Sequence, residues 1–209
     1  MLLDAGADTE ATSRDDNGDT LLVQATEQGN DEVVIMLLGA GADTEASDES
    51  YNTPLHIATV QGDVTLVRIL LEAGADVAAR NDDGSAPLHI SAREGPDEVV
   101  RALLDAGSGV ASEDTTDNTP LHHAAVGGRD QVVNMLLGAG ADVTARNGEG
   151  NTSLVLAEQM GFVQTAAILL AAERERSVAF AMGHQERLGA ASLVRGLDPE
   201  MVRMLLDLC

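Results

Sequence analysis

The sequence predicts an all-α solenoid of stacked helix-turn-helix units joined by short hairpin loops. Three observations predict this fold class. Similar strings recur every 33 residues, a glycine follows each string at a fixed distance, and an apolar stripe of helical period follows each glycine. We call the five repeats units 1 to 5 and count each hairpin loop with the helix pair that follows it. Their opening strings TLLVQA, TPLHIA, APLHIS, TPLHHA and TSLVLA begin at Thr20, Thr53, Ala86, Thr119 and Thr152.

The opening string of each unit is typical of a helix start. In unit 2, Thr53 is a good N-cap residue. Pro54 suits the first helical position, because the backbone N–H that proline lacks would have no hydrogen-bond partner there. Leu55 and Ala58 then share one face of the helix. Gly62 should end this helix, because glycine readily adopts the left-handed conformation of a C-terminal cap. The equivalent glycines in the other units are Gly29, Gly95, Gly128 and Gly161.

A second helix follows, with paired apolar residues that define a buried stripe. In unit 2 these residues are Leu66, Val67, Leu70 and Leu71. We expect all four positions to be buried, with Leu71 and its equivalent Leu104 between layers of the stack. The equivalent residues are Val33, Val34, Leu37 and Leu38 in unit 1, Val99, Val100, Leu103 and Leu104 in unit 3, and Val132, Val133, Leu136 and Leu137 in unit 4.

A further glycine should close the second helix and open the hairpin loop. It stands at Gly41, Gly74, Gly107 and Gly140. Unit 5 departs from the pattern, with Glu173 at this place and with Thr165 and Ala166 in place of paired valines or leucines. Terminal units of solenoids are commonly atypical, because one side of them faces water.

The 33-residue period, the TPLHxA-like starts and the LLxxGAD endings resemble ankyrin repeats over roughly residues 1–172. The resemblance implies L-shaped units of two antiparallel helices and a projecting hairpin, stacked into a curved array with a concave binding face. It also implies that the protein binds other proteins and is not an enzyme. Unit 1 departs from the family pattern, because Leu21 and Val23 replace the usual proline and histidine.

We expect the array to occupy residues 1–173, with a partial repeat at 1–13 and five repeats from about residue 14. The opening string MLLDAGAD matches the end of a second helix, so we expect the chain to be a fragment of a longer array. Residues 174–209 are expected to form a C-terminal helical cap. Part of this segment resembles a tail found in algal ankyrin-repeat proteins.

The last helix of the sequence has two interpretations. Asp198, Pro199 and Glu200 form a strong helix start, and the MVRMLLDL that follows is apolar nearly all round. It is either a degenerate sixth repeat or a docking helix that resembles the first helix of an F-box. In the second interpretation, the chain is a substrate-binding adaptor of a ubiquitin ligase. Deleting residues 197–209 should lower the melting temperature in the first case and leave it unchanged in the second.

The charge of the chain is strongly negative and unevenly distributed. Residues 1–173 hold 30 acidic residues and 7 arginines, and the whole chain has a net charge of −23. Such a balance excludes nucleic acid as the expected partner, since phosphates require Lys and Arg, and favours a basic partner protein. All twelve basic residues are arginine. Either genomic base composition or avoidance of ubiquitination explains the absence of lysine.

The cysteine and histidine content and the lack of membrane or signal segments indicate the cellular location and the absence of metal sites. Cys209 is the single cysteine, so neither a disulfide framework nor a zinc site is expected. Without a membrane span or signal peptide, the protein is expected to be a cytoplasmic or nuclear monomer. His56, His89 and His122 lie one repeat apart, about 10 Å, too far to share a metal at bonds of about 2 Å. The resemblance implies that these histidines brace the helix starts, and no cofactor is expected.

The resemblance also implies that partner contacts come from the hairpin tips and the exposed ends of the first helices. Val60, Val126 and Met160 are apolar where the fold does not demand it; the alternative is that they contact neighbouring hairpins. The predicted partner-binding residues are Arg14, Asp16, Asp19, Glu49, Asn52, Val60, Arg80, Asp82, Asp83, Arg93, Thr115, Thr116, Asn118, Val126 and Met160.

Overall fold

The structure is a computed structural model that describes residues 19–187, with side chains described for residues 19–178. This part of the chain holds ten α-helices and no β-strand. The helices are α1 (Leu21–Glu27), α2 (Asp31–Gly39), α3 (Pro54–Gln61), α4 (Val64–Glu72), α5 (Pro87–Glu94), α6 (Asp97–Asp105), α7 (Pro120–Val126), α8 (Asp130–Gly138), α9 (Ser153–Met160) and α10 (Val163–Arg187).

The helices form five pairs, one for each unit, and the predicted all-α repeat solenoid is confirmed. Helix α1 begins after its N-cap Thr20, whose hydroxyl accepts a bond from the Val23 amide. Helices α3, α5, α7 and α9 also begin directly after their predicted starts. The second helices of units 1 to 4 end just before their predicted glycines. Local capping and helical periodicity therefore set the element boundaries.

Neighbouring units are joined at their hairpin tips by backbone hydrogen bonds. The Asp82 amide donates to the Ser50 carbonyl at 3.0 Å, and the Thr115 amide donates to the Asp83 carbonyl at 3.0 Å. The Gly148 amide continues the series to the Thr116 carbonyl at 2.9 Å. These bonds hold the tips of units 2 to 5 in one row.

The core is a continuous apolar layer that runs through the stack. Leu66, Val67 and Leu70 of α4 are fully buried, as predicted. The prediction was wrong for the last position of the stripe, where Leu38, Leu71, Leu104 and Leu137 are only partly buried. It was also wrong for Val33, which is partly buried too. Positions i, i+1, i+4 and i+5 span about 140° of a helix, so the last of them lies at the edge of the buried stripe.

Buried histidines brace the first helices, as the sequence analysis anticipated. The Nδ1 atom of His56 accepts the Thr53 amide at 3.2 Å, which leaves the proton on Nε2. Nε2 then donates to the Ser85 carbonyl of the next unit at 3.0 Å. His89 repeats the arrangement with the Ala86 amide and the Ser112 carbonyl. Each histidine thus joins the cap of its own helix to the following hairpin.

The glycines that follow the first helices have a left-handed backbone conformation in every unit except unit 3. Gly62 has φ +70°, as a C-terminal cap requires. Gly95 has φ −72° and ψ 163° because it precedes Pro96, which disfavours a helical conformation in the residue before it. Glycine is still needed there, since an added Cβ would lie 2.8 Å from Ser91 Cα.

Unit 5 ends differently from the others. Helix α10 does not stop near residue 173 but continues to Arg187. Thr165, which replaces an apolar residue, is buried, and its hydroxyl donates to the Asp130 carboxylate at 2.6 Å. The partial repeat at 1–13, the algal-like tail beyond residue 187 and the helix predicted from Asp198 lie outside the described residues.

Candidate protein-binding surface

A groove of about 750 Å³ runs along units 2 to 4, between the hairpin tips and the ends of the first helices. The tips of units 3 and 4 form one wall, and the ends of α3 and α5 form the other. Six of the predicted partner-binding residues meet in this groove: Val60, Asp83, Arg93, Thr115, Thr116 and Asn118.

Several other predicted residues lie outside the groove. Glu49 and Asp82 are exposed on the tips of units 2 and 3, whereas Asp19 is buried at the start of unit 1. Asn52 is half-buried, and its side-chain oxygen accepts a bond from the Asn81 amide group at 3.0 Å. Asn52 therefore also helps to hold neighbouring tips together.

The three apolar candidates differ in their exposure. Val60 is 68 % exposed and Met160 is 54 % exposed, so neighbouring hairpins cover neither of them. Val126 is half-buried. Arg14 and Asp16 precede the described residues.

Arg80 has a structural role that the sequence did not indicate. One guanidinium nitrogen donates to the Gly84 carbonyl at 2.6 Å and also to the Glu113 carbonyl of the next unit. Arg146 bonds the Gly150 carbonyl of its own hairpin in the same way. Because Arg80 joins two hairpins, replacing it should lower stability as well as alter the surface, and it is a poor probe of binding alone.

The floor of the groove holds a polar pair that the sequence analysis missed. His123 Nε2 lies 2.7 Å from Asp114 Oδ2, and the His123 ring packs edge-on against His89 with centroids 5.6 Å apart. The available signal was the second histidine of TPLHHA, where units 2 and 3 have Ile57 and Ile90. That histidine belongs in the groove because the side chain at this position faces the hairpin tip.

Hydrogen bonds keep the Asp114 carboxylate ionised. Burial raises the pKa of Asp114, but bonds from Thr116, His123 and Asn118 outweigh burial and lower that pKa to about 2. The Thr116 amide donates at 2.8 Å and the Asn118 amide at 3.0 Å to the same carboxylate oxygen. The pair thus fixes the backbone of the unit 4 tip against α7 and shapes the groove floor.

The groove is acidic overall. Asp83, Glu94 and Asp114 line it with Arg93, whose Nε lies 3.3 Å from the Glu94 carboxylate. Since Arg93 and Glu94 are largely exposed, this ion pair is worth little and is open to exchange with a partner's charges. Among the described residues, no group of three or more His, Cys, Asp or Glu side chains is placed to hold a metal ion.

A family model described as ankyrin repeats, three copies, matches residues 1–81 and 75–147, well over half of the chain. No curated protein matches the chain. Ankyrin repeats form protein–protein interaction modules, and the family is generally non-enzymatic. None of the helices within residues 19–187 has the length and apolar character needed to cross a bilayer.

Proposed function

The chain belongs to the ankyrin repeat family, and on that basis we propose that its groove holds a basic segment of a partner protein without chemical change to it. The observation that carries this proposal is the meeting of six predicted contact residues in one groove. The groove is long enough to touch units 2, 3 and 4. An extended segment lying along it meets hairpin tips on one side and helix ends on the other.

The charges of the tips support a basic partner. Glu49, Asp82, Asp83 and Glu113 are exposed along the row of hairpins. The nearby Arg80 guanidinium is directed at backbone carbonyls. A surface of this kind attracts a basic partner over a distance of about 10 Å at 0.1 M salt and speeds its association.

The adaptor hypothesis depends on residues outside the described part of the chain. A ubiquitin-ligase adaptor requires the helix after Asp198 to dock on a second protein, and the groove gives no reason to prefer it. The cytoplasmic or nuclear location and the monomeric state likewise stay predictions.

We expect the double charge reversal Asp82→Lys with Asp83→Lys to weaken partner binding at least about tenfold, because two attractive charges become repulsive. Within the described residues, the hydrogen bonds of both aspartates use only backbone atoms, so the melting temperature should stay within about 2 °C. The partner is first captured with the full chain and identified by mass spectrometry. Titration calorimetry with the purified partner then measures affinity.

The matched control is Glu98→Lys with Asp105→Lys, which changes the net charge equally. Both residues are exposed on α6 and lie away from the groove. Binding should be nearly unchanged in this control. Equal losses in the two double variants, or an affinity that does not respond to salt, would show that the groove is not the basic-segment site.

A further inference from the structure

Tyr51 adopts a backbone conformation that disfavours a large side chain. Its φ is +60°, in the left-handed region. The equivalent residues of the following units are Gly84, Asp117 and Gly150, all with positive φ. Glycine carries no steric cost there and aspartate is tolerated, but tyrosine is strained. The fold alone therefore favours glycine at this position.

The turn around Tyr51 is fixed by other residues. Asp48 Oδ1 accepts the amides of Ser50 and Asn52, each at 2.8 Å, and the Asp48 carbonyl accepts the Tyr51 amide at 3.0 Å. The Asn52 side chain donates to Asp48 Oδ2 at 3.0 Å. Since these bonds involve no side-chain atom of residue 51, the turn does not need a tyrosine.

The Tyr51 side chain is turned towards solvent. It is 64 % exposed, and it makes no hydrogen bond or ring contact with any other described residue. It is also the single tyrosine in a sequence with two phenylalanines and no tryptophan. Strained residues that do not serve the fold occur preferentially at functional sites, and exposed tyrosine is a common anchor of protein interfaces.

We propose that Tyr51 binds an arginine side chain of the partner's basic segment, an inference that rests on the proposed function of the groove. The Ser50 carbonyl beside it bonds the Asp82 amide of the next tip, so Tyr51 continues the row of tips that borders the groove. Val60 of the same unit lines the groove and is exposed. A segment leaving the groove towards unit 2 therefore passes Tyr51.

An arginine side chain of the partner is the group best suited to bind at this position. The acidic side chains of Glu49 and Asp82 are exposed on the same and the adjacent tip. A planar guanidinium stacks on the face of a tyrosine ring while its N–H groups donate to carboxylates. Lysine offers the same charge without the planar stacking group, so the site should distinguish the two cations.

The test uses the full chain and two fluorescent peptides of equal length, one alternating arginine with glycine and one alternating lysine with glycine. Fluorescence anisotropy at about 0.15 M salt limits the contribution of distant charges. Wild-type protein should bind the arginine peptide more tightly. Tyr51→Gly should weaken arginine-peptide binding about threefold to fivefold and abolish the preference over lysine. Tyr51→Phe, which keeps the ring, should retain the preference.

Stability provides a second readout, because Tyr51→Gly relieves the strained backbone and should raise the melting temperature while binding weakens. The control Asp117→Gly changes the equivalent backbone position of unit 4. It should also raise the melting temperature but leave the ratio of the two peptide affinities unchanged.

Each contrary outcome has its own meaning. If Tyr51→Gly keeps the arginine preference, or if wild-type protein binds both peptides equally, the assignment of Tyr51 is overturned while the acidic groove stands. If neither peptide binds to wild-type protein, both the basic partner and the role of Tyr51 are overturned.

Discussion

Replacing Leu70 by alanine should lower the free energy of unfolding by about 2–5 kcal/mol, the usual cost of emptying a buried leucine site. Leu70 is fully buried on α4, which packs against α2 on one side and α6 on the other. Because a solenoid is stabilised by the interfaces between units, the loss should reach beyond unit 2. Urea denaturation measures the total loss, and hydrogen exchange of the amides in α2 and α6 measures how far it spreads.

The matched control is Leu71→Ala, which removes the same atoms from the next position. Leu71 is only partly buried, so the cavity left behind is open to water and the loss should be clearly smaller. Losses of equal size at the two positions would contradict the placement of Leu70 in the core and of Leu71 at its edge.

Acidification from pH 6.5 towards pH 4 should also destabilise the array, because three histidines that are buried and neutral in the folded protein take up protons when the chain unfolds. Burial lowers the pKa of His56 and of His122, and it lowers that of His89 to about 4. Between the unfolded pKa of about 6.5 and the folded value, the unfolded chain binds more protons than the folded protein. Stability is therefore fully present above pH 6.5 and is lost as the pH falls.

The size of the effect follows from the His89 pKa. A fall from 6.5 to about 4 corresponds to about 3 kcal/mol at the acid end of the window. One opposing contribution must be separated from it. Protonation of surface carboxylates relieves the repulsion of a chain with net charge −23, and comparison with a histidine variant at the same pH separates this contribution. Asp114, whose pKa is about 2, stays ionised throughout.

The measurement is urea denaturation at several pH values from 7 to 5, compared between wild-type protein and His89→Gln. The variant should be less stable at pH 7, because it loses the bonds of His89 to the Ala86 amide and the Ser112 carbonyl. Its stability should nevertheless depend less steeply on pH, since one titrating group is gone. Parallel pH profiles for the two proteins would exclude His89 as a source of the acid sensitivity.

The sequence by itself determined the repeat architecture and the position of each helix in units 1 to 4. Thr53, Pro54 and Gly62 act on backbone groups within one turn of themselves. The two ends of this helix can therefore be predicted from the local sequence. The 33-residue period then places every unit in the same way. The histidine brace was expected from the family resemblance. Six of the predicted contact residues also lie together in the groove, because residues in register meet when identical units stack.

Only the tertiary structure decided which of these residues serve the fold and which are free to bind. Arg80 reaches a carbonyl one unit away, and His123 meets both Asp114 and the His89 of the preceding unit. The burial of Leu70 but not Leu71 depends on how neighbouring helices cover each position. The left-handed conformation of Tyr51 depends on the hydrogen bonds of its own hairpin. Capping and periodicity act between near neighbours in the chain, whereas contacts between stacked units depend on packing geometry that no single stretch of sequence specifies.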